Sequence, residues 1–244
     1  MNSKQRADNI FIVGTDTGVG KTVLSLIVMQ FFFSRGYDPF YIKPVQTGCD
    51  DPYDTDSDAN FIHRHAGFLQ DRDPGDSVIY CFKNPKAPYF AALDERKTIN
   101  LSVIKDAVNQ RSRVYSPVII EAAGGVLVPV TSNTCMVDMI ILTQAKPVLA
   151  ARAGLGTINH SLLTLEALKR RGLQPLGIVF IDAGTEQTPP EMVAENMSAI
   201  EKVSGVKVAG VIGRIDDFFR PLNDYFEPLT RIFDKGITAA TFPP

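Results

Sequence analysis

Gly18, Gly20, Lys21 and Thr22 fall within the run Gly14-Thr15-Asp16-Thr17-Gly18-Val19-Gly20-Lys21-Thr22. Such a set suits a phosphate. Glycines let backbone N–H groups turn inward, a helix N-terminus favours anions, a lysine meets the terminal phosphates and a hydroxyl can ligate Mg²⁺. The flanks agree: Ile10 to Val13 reads as a short buried strand, and Val23 to Phe33, apolar apart from Ser25 and Gln30, as a buried helix. The usual eight-residue pattern begins with glycine, whereas Thr15 stands there and Gly14 lies one place early.

Mg²⁺ bound to a triphosphate takes one or two carboxylates beside the loop hydroxyl, usually from strand ends. Two carboxylates fit. Glu121 follows an expected strand, Val118-Ile119-Ile120, and precedes Ala122-Ala123-Gly124-Gly125, expected as a second glycine turn. Asp58 lies in Asp56-Ser57-Asp58-Ala59 and suits a helix cap or a solvated carboxylate as well as a metal ligand. Lys43 is read as the end of a second strand, Phe40 to Lys43, and opens Lys43-Pro44-Val45-Gln46-Thr47-Gly48. There it fits either a surface lysine or a group that neutralises a transferring phosphoryl. Gly154 to Asn159 precede an expected helix, whose start could hold an anion or merely be capped by Asn159. His160 is read as packed or capping, and His63 and His65 as surface or core positions of a helix.

These groups need a scaffold that brings strand ends together. Strands are expected at Pro147 to Ala151, Leu176 to Ile181 and Val206 to Ile212 besides those above, and helices at Asn100 to Arg113, Met136 to Gln144, Thr157 to Arg171 and Pro190 to Val203. Short, continuously apolar strands alternating with helices predict an α/β fold with a mostly parallel central sheet covered on both faces. Gly67 to Lys97 carries the weakest pattern. A chain of 244 residues buries roughly 70% of its unfolded surface, and no linker or repeat divides it, so one domain over 1–244 is expected.

Twenty-five Lys and Arg against 27 Asp and Glu give a net charge of −2, which provides no electrostatic case for nucleic acid or an anionic membrane as partner. Small-molecule partners are expected instead. The N-terminal run has no signal-peptide core, and the 11 residues from Val23 to Phe33 fall short of the ~20 that span a bilayer. Cys49, Cys81 and Cys135 are far apart in sequence and odd in number, which argues against a disulfide framework or zinc site and for reduced thiols in a cytoplasmic protein.

Taken in order, the motifs resemble those of the dethiobiotin synthetase family. Gly14 to Thr22 is similar to that family's phosphate loop, displaced first glycine included. Lys43 to Gly48, Asp56 to Ala59, Glu121 to Gly125 and Leu155 to His160 are similar to its other motifs, over roughly residues 10 to 180. The resemblance implies a P-loop NTPase-type fold, a homodimer, and ATP and Mg²⁺ as cosubstrate and cofactor. It implies that 7,8-diaminononanoate captures CO₂ as a carbamate, that the nucleoside triphosphate phosphorylates it, and that the second amine closes the ureido ring. Residue by residue it implies Gly18, Val19, Gly20, Lys21 and Thr22 at the phosphates and Thr22, Asp58 and Glu121 at the metal. Lys21 and Lys43 would stabilise transferred charge, Thr17 and Thr47 would contact carbamate or phosphate oxygens, and the 154–159 helix start would receive the substrate carboxylate across the dimer.

The chain departs from the family at Ile181-Asp182, where many members have Asn-Asp with the Asn reading adenine, at Ile212-Gly213, and at Ala122 in place of Gly. Isoleucine cannot exchange hydrogen bonds with a base, so CTP or another triphosphate is expected to compete with ATP. From about Thr185 the correspondence ends, and Arg220 to Pro244 is assigned either to closing the base site or to dimer packing. The competing readings are a partitioning or septum-positioning ATPase and a nucleotide-binding paralogue without turnover. Against the first stand the absence of a signature lysine in Gly14-Thr15-Asp16 and of a basic amphipathic helix in Thr238 to Pro244. Against the second stand the intact Lys21, Thr22, Lys43, Asp58 and Glu121.

Overall fold

The computed structural model describes residues 6–237 of the chain; the reading of Thr238 to Pro244 lies outside them. The strands β1 (Ile10–Gly14), β2 (Phe40–Thr47), β3 (Val78–Phe82), β4 (Val118–Gly125), β5 (Lys146–Arg152), β6 (Ile178–Asp182) and β7 (Val208–Gly213) form one sheet in the order β3-β2-β4-β1-β5-β6-β7. Every neighbouring pair is parallel. The helices are α1 (Lys21–Ser34), α2 (Asp58–His65), α3 (Pro88–Asp94), α4 (Leu101–Val114), α5 (Met136–Thr143), α6 (Thr157–Lys169), α7 (Pro190–Ser204) and α8 (Glu227–Ile237).

The side chains of β1 show why these strands lack polar alternation. Ile10 and Ile12 enter the apolar layer built with α1, α2 and α8, while Phe11 and Val13 enter the opposite layer built with α3 to α7. Both faces are dry, so both registers are apolar. Parallel strands all present their C-terminal ends at one edge, and the chain leaves β1 in the middle of the sheet, which opens a crevice there.

Three elements correct the sequence reading. Lys43 does not end β2, because the strand runs on to Thr47. Phe40 to Ile42 pair with β4, whereas Lys43 and Val45 to Thr47 pair with β3, and Pro44, which has no N–H to donate, sits beside this change of neighbour. Ala122 to Gly125 is likewise strand rather than turn, with Gly124 at φ 75° inside it. β3 and α3 arise in the stretch that carried no clear pattern; β3 is an edge strand of only five residues, and α3 has seven.

The described part of the divergent tail packs on the sheet's α1 and α2 side. Phe218, Phe226 and Phe233 pack on α1 and α2, with ring centroids of Phe226 and Phe31 5.5 Å apart and of Phe218 and Phe61 5.1 Å apart. Gln30, one of the two polar residues of the α1 run, ties both neighbours: its amide donates to His65 O and its oxygen accepts from Leu222 N. Among the described residues no helix is long and apolar enough to cross a membrane.

α2 carries Asp58 and is anchored through His63, whose Nε2 lies 2.9 Å from Ser77 Oγ in a buried setting. Burial holds this imidazole below its ordinary value. An unfolded histidine titrates near ~6.5, so the unfolded state takes up its proton first and the stability present above that pH declines as pH falls through it. The melting temperature of the wild type should therefore drop more between about pH 7.5 and pH 5 than that of His63→Asn; equal drops would exclude His63 as the source.

Candidate functional site

The loop from β1 to α1 is shaped by two steric requirements. A Cβ on Gly14 would lie 2.8 Å from Val19 Cγ2 and 2.9 Å from Asp16 O, which accounts for glycine at the strand end, one place earlier than the general motif has it. Gly20, the N-cap of α1, has φ 85°, and a Cβ there would meet Ile181 Cγ2 at 2.6 Å. No side chain caps α1, so its first N–H groups remain available to an anion. Lys21 Nζ curls back onto Asp16 O at 2.8 Å.

Glu121, on the central strand β4, is 1% exposed. Its Oε1 accepts from Lys43 Nζ at 2.8 Å and Thr22 Oγ1 at 3.1 Å, and its Oε2 from Ser25 Oγ and Tyr41 Oη, both at 2.9 Å. Lys43 Nζ also reaches Asp58 Oδ2 at 2.7 Å and Ala122 O at 3.1 Å. Asp58 in turn accepts from Thr22 Oγ1 at 2.6 Å, and its backbone N–H donates to Gln46 Oε1. Thus Thr22, Asp58 and Glu121 converge as the sequence reading expected. Asp58 is not the helix cap; Ser57 is, and Asp58 is the first helical residue behind it.

The two lysines differ electrically. Burial would lower the Lys43 ammonium, but the Asp58 and Glu121 carboxylates more than offset this and hold it above the ordinary lysine value. Lys21 falls to about 8, because burial and the positive charge of Lys43 outweigh the attraction of Glu121, Asp58 and Asp16. Burial alone would raise Asp58, yet Lys43, with Thr22 and Lys21, holds it below its usual value. Lys43 therefore has its counter-charges already, while Lys21 lacks one.

These groups line a cleft of about 660 Å³ that also takes in Thr17, Thr47, Gln46 and the segment from Pro85 to Pro88. Gly18 and Val23 border it, while Val19 is buried beneath the loop. Other sequence candidates lie elsewhere. The start of α6 is not part of the cleft wall; its N-cap is Gly156 in the left-handed conformation, with no side-chain cap, so Asn159 does not serve that role. His160 is exposed rather than packed. Ala122 is fully buried in the apolar layer, so its methyl fills core.

Sequence reasoning missed Ser25, Tyr41 and Arg152. Ser25 left a signal, being the one hydroxyl in the apolar α1 run and four residues after Lys21, hence on the same helix face. Tyr41 looks like any strand aromatic. Arg152, exposed at the end of β5, brings Nη2 to 4.0 Å from the position a Cβ on Gly18 would take, and pairs in register with Ile181.

A glycine loop leading into a helix, a lysine aimed at the loop and a hydroxyl beside two carboxylates define a P-loop nucleotide-binding protein. In agreement, residues 8–221 match the AAA domain family. Solved structures with this fold include the MinC:MinD cell division protein complex of Aquifex aeolicus (TM-score 0.56, 13% identity, 98% of each chain) and pNOB8 ParA bound to nonspecific DNA (TM-score 0.56, 13% identity, 96% of this chain and 95% of that one). At such identity they report the fold alone. The sequence is 38% identical over 173 residues to the ATP-dependent dethiobiotin synthetase BioD of a Hydrogenobaculum species, covering 70% of this chain and 75% of the relative. It is 30% identical to that of Methanococcus vannielii over 86% and 95%, and 37% identical to that of Nitrobacter hamburgensis over 80% and 83%. The chain belongs to the dethiobiotin synthetase family.

The Gly20 contact is directly testable. Positive φ alone costs a non-glycine residue about 1–3 kcal/mol, and Gly172, at φ 69° with open space around it, isolates that cost. Gly20→Ala carries in addition the overlap with Ile181, about 1–3 kcal/mol more. Denaturant midpoints should place Gly20→Ala below Gly172→Ala; the reverse order would show that Ile181 yields freely.

Proposed function

We propose that this chain is a dethiobiotin synthase that uses a nucleoside triphosphate to close the ureido ring of dethiobiotin from 7,8-diaminononanoate and CO₂, a step of biotin biosynthesis. The observation that carries the reading is the pair of buried lysines facing one cleft beside the Thr22, Asp58 and Glu121 oxygens, in a member of this family. Phosphoryl transfer to an oxygen of the substrate needs positioning and charge neutralisation rather than covalent catalysis.

The chemistry balances without a protein nucleophile. One amine adds to CO₂ and loses a proton, giving a carbamate. A carbamate oxygen attacks the γ-phosphorus and the nucleoside diphosphate leaves. The second amine then attacks the carbonyl carbon of the mixed anhydride, and its C–N bond forms as the C–O bond to phosphate breaks. The amine gives up one proton to the departing phosphate or solvent, and the ring closes. Lys21, short of counter-charge, draws the terminal phosphates into the loop, where Gly18 and Gly20 leave the backbone N–H groups exposed to them. Lys43, at the junction of β2, β3 and β4, holds positive charge beside the carbamate and the transferring group. Thr17 and Thr47, both lining the cleft, offer hydroxyls to the carbamate or phosphate oxygens.

The oxygen set fits a divalent cation. Thr22, Asp58 and Glu121 supply hard oxygens grouped around the Thr22 hydroxyl, and the Lys43 ammonium bound to both carboxylates supports reading the spot as one that attracts a cation. These three residues would hold Mg²⁺, which when bound would offset charge on the triphosphate.

The start of α6 bears on the substrate carboxylate. Its uncapped N–H groups suit an anion but do not line the chain's own cleft, so a second copy would have to supply them. Leu155, 95% exposed just before this helix, is the kind of apolar side chain that a homodimer covers.

Purified protein incubated with 7,8-diaminononanoate, bicarbonate, Mg²⁺ and ATP or CTP should yield dethiobiotin, identified by mass spectrometry, with one phosphate per product. Phosphate release without dethiobiotin, or neither, would sink the assignment. The same assay over ATP, CTP, GTP and UTP tests base choice: with Ile181 unable to read a base by hydrogen bonds, CTP should compete with ATP, and a strong preference for ATP alone would count against this. Lys43→Ala should lower turnover by about 10³-fold, the scale seen when a comparable electrostatic stabiliser is removed. Unchanged turnover in a folded variant would remove Lys43 from the mechanism.

A further inference from the structure

Cys49 and Cys81, 32 residues apart in sequence, have their Sγ atoms 3.6 Å apart. The backbone creates this approach. Gln46 pairs in register with Cys81 and Thr47 with Phe82, Gly48 N–H then donates to Phe82 O at 2.9 Å, and Gly48, at φ 88°, turns the chain so that Cys49 folds back over Cys81. Cys49 is buried at 4% exposure, whereas Cys81 is partly open to solvent. The third thiol, Cys135, starts α5 on another part of the sheet.

We propose that Cys49 and Cys81 are a reversible oxidation site whose disulfide tightens the β2–β3 end of the cleft. A disulfide needs its sulfurs ~2.0 Å apart, so bond formation draws the two strand ends together by part of the present gap. Thr47, a cleft residue, is two positions before Cys49. The intervening Gly48 abuts Pro85, another cleft residue, whose Cβ would lie 3.2 Å from a Cβ on Gly48. Contraction there moves the wall that carries the Thr47 hydroxyl.

With a peroxide as oxidant, the accessible Cys81 sulfur attacks the O–O bond and becomes a sulfenic acid as one water leaves. The Cys49 sulfur then attacks Cys81, the S–S bond forms, the S–O bond breaks and a second water leaves. Two thiols lose two electrons and one peroxide gains them. Reduction by a dithiol reverses the bond. Burial pushes Cys49 up to about 12 and Cys81 also upward, so thiolate is scarce and the site oxidises slowly.

The test treats the full-length protein with hydrogen peroxide for hours and follows intact mass, non-reducing peptide maps, and amide hydrogen exchange over residues 47–49 and 83–88. Expected are a loss of two mass units restored by dithiothreitol, a Cys49–Cys81 linked peptide, retention of the bond in Cys135→Ser, its loss in Cys81→Ser, and slower exchange in both segments. No mass loss, a bridge to Cys135 or to another chain, or overoxidation of the separate thiols would overturn the site. Unaltered exchange in the bridged protein would overturn its coupling to the cleft.

The consequence for turnover rests on the dethiobiotin synthase reading: kcat/KM for 7,8-diaminononanoate should fall about tenfold on oxidation, since displacement of ~1 Å near a reacting group can cost more. Unchanged kcat/KM would overturn that consequence. A reduced protein that makes no dethiobiotin would refute the enzyme reading instead, with mass and exchange still deciding the bond.

Discussion

Glu121 is a carboxylate almost wholly buried at the floor of the cleft, and the site is built around satisfying it. An unpaired charge there would be untenable, so each of its oxygens takes two donors: Lys43 and Thr22 on one, Ser25 and Tyr41 on the other. Two of the donors come from α1 and two from β2, while Glu121 itself belongs to β4. One carboxylate thereby fixes the helix that follows the phosphate loop against the strand that delivers Lys43. Removing one partner of a buried ion pair costs about 3–5 kcal/mol, although the intact pair is no more stabilising than a hydrophobic replacement. Its value is therefore geometric, since it holds a lysine at a place where a hydrophobic residue could do no chemistry.

The same network divides labour between the lysines. Lys43 is neutralised within the protein by Asp58 and Glu121, which lets a full positive charge sit almost completely buried. Lys21 is next to that charge, is buried too, and has a backbone carbonyl as its hydrogen-bond partner. A triphosphate entering the loop meets a lysine whose electrostatic demand is unmet and a second lysine whose demand is met by groups that can also face a metal. Both positive charges are thus positioned by the protein's own groups, Lys43 by two carboxylates and Lys21 by a backbone carbonyl.

The groups legible in the sequence are those fixed by local spacing. Gly18 to Thr22 must act as a unit because a helix begins there, and Glu121 was found because a carboxylate at the end of an apolar run has little other purpose. Lys43 was found as well, though by a wrong boundary: Pro44 reads as a strand end, but a strand that changes neighbours can carry a proline where no ladder donor is needed. Tyr41 was illegible because its role exists only across the β2 and β4 contact, and Ser25, though marked as the one hydroxyl of an apolar run, shows its partner only once α1 lies against β4. The proximity of Cys49 and Cys81 was hidden for the same reason, since it depends on β3, a short edge strand whose pattern is weak. The tail was illegible for another cause: its aromatic residues pack on the outside of α1, where many apolar arrangements serve equally well.

The loop between β1 and α1 and the strand end that packs against it are under different constraints. In the loop that leads into α1, the Thr22 hydroxyl is held by Asp58 and Glu121 and the Lys21 ammonium by Asp16 O, so polar contacts set the geometry there. At the end of β6 the constraint is steric. Ile181 is 5% exposed and packs against Gly20, in register with Arg152 on β5. An apolar side chain in that position supports the loop as well as any residue of its size, because its contact with Gly20 is one of shape. The loop's geometry at this contact therefore depends on the volume of the side chain at position 181 and not on its polarity, because what meets Gly20 there is a packed surface with no hydrogen bond.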